Sequence, residues 1–132
     1  MSEHDIVNEW LEIAYDDYNI ARHLYCHMDP KPLEGICYHC QQSAEKSLKA
    51  YICANSIEVS KTHEVGWLCL QCSELDKSFL EFRKDCEKLT LYATRTRYPS
   101  KIEIDDDDAK KALQQALNIY EFVSEKIQQL FK

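Results

Sequence analysis

Residues 38–51, YHCQQSAEKSLKAY, decide the fold. Cys40, Ala44, Leu48 and Tyr51 recur at steps of four, four and three, the repeat of an α-helix with one face turned to a core. Tyr38, Gln42, Glu45 and Lys49 recur at steps of four, three and four and line a second, polar face. Extended in both directions, the apolar stripe takes in Ile36, Cys37 and Ile52, which predicts a helix over 33–54.

The segments on either side keep the helical period. Upstream, Ile6, Trp10, Ile13, Ala14, Ala21, Leu24 and Tyr25 predict an inward stripe on a helix over 5–27. Two prolines within residues 28–32 end it, because proline lacks an amide donor and fixes its own backbone angle. Downstream, Thr62 is the expected N-cap of a short helix ending near Leu75, with Glu64 in its first turn, where the helix dipole favours a carboxylate. A further helix is expected over 76–94, carrying Phe79, Phe82, Leu89, Leu91 and Tyr92, followed by an irregular loop through Ile104 that Pro99 opens. Asp105 is the expected N-cap of the last helix, with Asp106, Asp107 and Asp108 at its positive end. The stripe of that helix runs Ala109, Ala112, Leu113, Ala116, Ile119, Tyr120, Val123, Ile127 and Leu130. Four long helices and one short one predict an all-α, antiparallel up-and-down bundle, and 132 residues suffice for a single domain over 1–132.

Composition narrows the function classes. Hydrophobic residues at 45% and charged residues at 30% belong to a globular chain, and two Gly with three Pro leave few sites for hairpin turns. No window approaches the roughly 18 apolar residues of a membrane span, and the acidic start carries no signal-peptide pattern, so a cytoplasmic protein is expected. Seven Cys without disulfide-module spacing fit reduced thiols. The net charge of −7 argues against indiscriminate nucleic-acid binding, but the charge is uneven. Residues 1–18 carry six acids and no Lys or Arg, whereas 77–101 carry seven cations against Glu81, Asp85 and Glu87. One basic surface therefore survives on an acidic chain.

Three segments together, 38–51, KTHEVGWL at 61–68 and ATRTRYPS at 93–100, resemble the HEPN family, the higher eukaryotes and prokaryotes nucleotide-binding domain. The family signature is a Gln-Ala-Ala-Glu-Lys-like helix, a Thr-His turn opening the next helix and an Arg-Tyr-Pro loop before the last helix. Here Gln42, Glu45, Lys46, Lys49 and His63 stand at the first two motifs, and Arg95, Arg97 and Tyr98 at the third. The resemblance implies a helical bundle that forms homodimers and pairs with a small nucleotidyltransferase in toxin–antitoxin-like systems. It also implies nucleotide or RNA binding. Arg95, Arg97, Tyr98 and Lys101 are the expected ligand-binding residues, since guanidinium forks match phosphate oxygens and a tyrosine ring can stack an unpaired base. Ion pairs to acids of the first helix, or a dimer contact, are the structural alternative for the two arginines.

Nuclease members of the family use an Arg followed four to six residues later by a His, which cleaves RNA without metal. No His follows Arg95 or Arg97, and residues 100–104 fill the positions where it would stand. A catalytically silent binding and interaction module is therefore expected, with no catalytic residue and no cofactor. The alternative is a metal-independent ribonuclease toxin using a displaced acid–base residue. Arg22 and His27 reproduce the spacing but lie in the first helix, where chance accounts for it. A zinc-stabilised structural protein is a more distant alternative. Cys37/Cys40 and Cys69/Cys72 have zinc-like spacing, but both pairs sit in helical patterns where small core cysteines suffice, so no metal is expected. For Glu45 and Lys49 the plain reading is a surface i,i+4 pair, and for His63 a structural hydrogen bond.

Overall fold

A computed structural model gives the architecture; it describes residues 1–97 and 103–132, with side chains from 94 to 97 outside the description. Five α-helices follow in order: α1 (Glu3–His27), α2 (Leu33–Ala54), α3 (Val65–Leu75), α4 (Arg83–Arg97) and α5 (Asp106–Leu130). A 3-10 segment, Lys77–Phe82, leads into α4. All regular structure among the described residues is helical, and α2 forms the centre, packed against α1, α3, α4 and α5. None of the described helices is long and apolar enough to cross a membrane.

Both long terminal helices begin as local sequence dictates. Ser2 and Asp5 close a capping box on α1, and Asp105 and Asp108 close one on α5. The Asp105 carboxylate accepts from the Asp108 amide at 2.8 Å, so the aspartate run satisfies donors that the helix start leaves open. Tyr25 donates to Asp106 at 2.8 Å and ties the end of α1 to the start of α5.

Four expectations need correction. On α1, Ala14 and Ala21 are buried and Trp10, Leu24 and Tyr25 pack partly buried against the core as expected, but Ile6 and Ile13 are exposed, and Val7, outside the expected stripe, is buried. The small alanines let α1 close on α2, where the Ser43 hydroxyl donates to the Ala14 carbonyl at 2.7 Å. The expected helix over 76–94 is divided, because Asp76 caps a 3-10 segment before the α-helix proper begins at Arg83. Arg95 and Arg97, assigned to a loop, belong by their backbone to the last turn of α4. Thr62 does not cap α3. Its hydroxyl accepts from the Glu64 amide at 3.2 Å, and Glu64 itself takes the N-cap position without a side-chain cap bond.

Along α2 the expected stripe is buried from Ile36 to Ile52. So are Gln41, Ser43, Glu45, Ser47 and Lys49 on its other faces, because the helix is enclosed on several sides. On α5, Ala109, Ala112, Ala116, Ile119, Val123 and Ile127 are buried as expected, while Leu113 is half-buried and Leu130 exposed.

Candidate functional site

Glu45 lies at the centre of a buried polar cluster. Its carboxylate is 1% exposed, a position that is costly unless cations and donors replace water. Lys49 Nζ stands 3.1 Å from Oε2, one helical turn on, and Lys46 Nζ stands 4.0 Å from the same oxygen. The other oxygen, Oε1, meets His63 Nδ1 at 3.0 Å and the Gln41 amide nitrogen at 3.2 Å. The surface pair expected from spacing is thus a buried one. Lys49 also lies 5.9 Å from the ring centroid of Trp10, so α1 closes the far side of the cluster.

Gln41 fixes more than Glu45. The same amide nitrogen donates to the backbone carbonyl of His63 at 3.2 Å. His63 is therefore held twice from α2, through its ring and its backbone, although its side chain is 54% exposed. With Nδ1 engaged by the carboxylate, Nε2 is the ring nitrogen left for a ligand. Gln41 Oε1 is buried without a partner among the described residues. Turning the amide round would set oxygen against a carboxylate and a carbonyl, so the orphan acceptor is the cost of holding His63.

The register of α3 on α4 relates His63 to the basic segment. The Gly66 amide donates to the Thr90 hydroxyl at 2.9 Å, and the Cys69 and Cys86 thiols hydrogen-bond further along. Steps forward on α3 are steps backward on α4, so the two helices run antiparallel. The helices are close here, and a side-chain carbon at Gly66 would just touch Glu87 Cγ at 3.4 Å. His63, just before α3, consequently lies toward the same end as the last turn of α4, which carries Arg95 and Arg97 in its backbone. The side chains of both arginines, and Tyr98 and Lys101 altogether, lie outside the described residues.

The remaining motif positions play other parts. Gln42 donates to the Tyr38 hydroxyl at 3.1 Å and does not reach Glu45; its neighbour Gln41 does. Gln41 escaped the sequence reading, although its position four residues before Glu45 signals a shared face. Asp17 and His39 make a second carboxylate–imidazole contact at 2.9 Å between α1 and α2, also unforeseen. His23 and His27 have ring centroids 4.7 Å apart on α1, and with Arg22 they line a shallow groove walled by that helix. Cys37, Cys40, Cys69, Cys72 and Cys86 are buried, and burial pushes the Cys40 and Cys72 thiols well above the ordinary range. Among the described residues no group of three or more His, Cys, Asp or Glu is arranged to hold a metal ion.

Comparison with known proteins agrees with the architecture. A family model described as HEPN domain matches residues 7–127. The crystal structure of an archaeal HEPN homologue superposes with a TM-score of 0.71 over 92% of this chain and 97% of that chain, at 23% identity. At that identity the likeness speaks for the fold. No curated protein matches the sequence significantly.

Proposed function

The chain belongs to the HEPN domain family, and on that footing we propose that it is a nucleotide- or RNA-phosphate-binding and interaction module without catalytic activity. One observation supports the reading: the antiparallel packing of α3 on α4 sets His63, anchored on Glu45 and half exposed, nearer the end of α4 whose backbone carries Arg95 and Arg97. The basic segment through Lys101 supplies the ligand contacts, with Arg95, Arg97 and Lys101 on phosphate and Tyr98 stacked on a base. Family membership supports homodimers and a small nucleotidyltransferase as partner in a toxin–antitoxin-like pair.

Fluorescence anisotropy with a labelled single-stranded RNA tests the binding. Arg97→Ala should weaken it at least severalfold and reduce its salt dependence by a fraction of a unit, with thermal stability unchanged. Equal affinity for the wild type and an Arg95→Ala/Arg97→Ala variant would overturn the reading.

A second reading, a metal-independent ribonuclease, draws support from the Glu45–His63 contact, because a carboxylate-held imidazole is a common form of general acid–base. Cleavage of a structured RNA in chelator, abolished by Arg97→Ala, would favour this second reading.

A further inference from the structure

His23 and His27 take no part in the Glu45 cluster. Among the described residues neither imidazole has a hydrogen-bond or ion-pair partner, and both are exposed and close to each other. They stand four positions apart at the end of α1, where the helix pitch puts such residues on one face. Two imidazoles at that spacing can grip one metal ion, because the helix backbone fixes both ligands before the ion arrives. We propose that His23 and His27 bind one divalent transition-metal ion of the zinc, nickel and copper class as a two-imidazole chelate, with water in the remaining positions. The site is independent of nucleotide or RNA binding, so either reading can fail while the other stands.

The distances suit the ion. A metal about 2 Å from one nitrogen of each ring lies roughly 3.2 Å from each ring centre, and at bond angles of about 90–110° the centres then stand roughly 4.5–5.2 Å apart. The two centres are 4.7 Å apart, with the ring planes tilted by 44°. Rotation of two exposed side chains is all that aiming the nitrogens requires. Both rings line a groove of about 570 Å³, which leaves room for the ion and its waters.

The surroundings set the kind of ion and the strength of binding. Imidazole selects zinc, nickel and copper over magnesium and calcium, which prefer oxygen. His27 is the last residue of a helix of 25 residues, whose negative end favours a positive charge. Arg22 lines the same groove and works against a dication, which keeps the affinity moderate. Cys26 also lines the groove, but the three side chains are not arranged to hold one ion, so the imidazoles make the chelate without the thiol.

Calorimetric titration of the untagged full chain with Ni(II), which leaves thiols unoxidised, tests the proposal. The wild type should bind one ion per chain in the micromolar range, and Zn(II) but not Mg(II) should compete for the site. His23→Ala or His27→Ala should weaken binding ~10-fold or more, because a second ligand already held in place acts at high effective concentration. Ni(II) should also raise the thermal midpoint of the wild type and not that of His23→Ala/His27→Ala, since an ion bound only by the folded chain stabilises it. Both rings are exposed, so without metal these variants should melt with the wild type, which separates loss of the site from loss of the fold. Absence of saturable binding by the wild type at submillimolar Ni(II), or equal binding by the double variant, would overturn the chelate. Binding lost in Cys26→Ser with both histidines in place would overturn it as well, in favour of a thiolate site.

Discussion

Glu45 Oε2 and Lys49 Nζ lie 3.1 Å apart in the interior of the bundle, with only 1% and 6% of their side chains exposed. Removing one partner strands the other charge away from water, and the stranded charge rather than the lost attraction sets the cost. Glu45→Ala should destabilise the fold by about 3–5 kcal/mol, whereas Glu45→Leu/Lys49→Met should recover a large part of that loss. Urea denaturation of Glu45→Ala, of Glu45→Leu and Lys49→Met singly, and of the double variant checks this. Additive single effects would show that the two side chains do not interact.

Asp76 and Lys126 make one contribution to stability depend on acid. Hydrogen bonds from Ser78 and Lys126 hold the Asp76 carboxyl at about 2, below its ordinary value of 3.8. A carboxyl depressed in the folded state adds stability above its unfolded value, and that contribution is lost as pH falls through about 2. The pair is a quarter exposed on each side, so solvent screening reduces the effect to about 1 kcal/mol. Asp76→Asn should therefore be less stable than the wild type at neutral pH, with the difference closing between about pH 4 and pH 2. Thermal melts of both proteins across that range decide it.

Leu48 and Leu113 should respond unequally to truncation. Leu48 is fully buried on α2, and Leu48→Ala should cost about 2–5 kcal/mol through lost burial and the cavity left behind. Leu113 is half-buried, and its replacement by Ala should cost about half as much. Equal shifts in denaturation midpoint would contradict the orientation of α5.

The seven thiols should react in an order set by access. Cys26 is exposed and Cys53 partly so, while the other five are buried. Titration of the native protein with a chromophoric disulfide should show one fast thiol, absent in Cys26→Ser, and a slower second. The remaining five should appear on unfolding, and their prompt reaction in the native state would reveal an open core.

The sequence by itself determined the helices and most of their limits. The boundaries of α2 are readable because Pro32 precedes it and its apolar stripe holds the helical repeat throughout. The start of α5 is readable because Asp105 and Asp108 form a capping box within four consecutive residues, a local interaction that needs no tertiary partner. Tertiary structure decided the rest. Periodicity assigns one inward face to a helix, whereas α2 is enclosed on several sides, so Glu45 and Lys49 pass from an expected surface pair to a buried one. On α1 the stripe names Ala14 and Ala21 correctly, but only the packing on α2 buries Val7 and leaves Ile6 and Ile13 outside. The meeting of Glu45 with His63 spans 18 positions and a turn. No local repeat encodes it, since the contact exists only once the segment before α3 has folded back against α2.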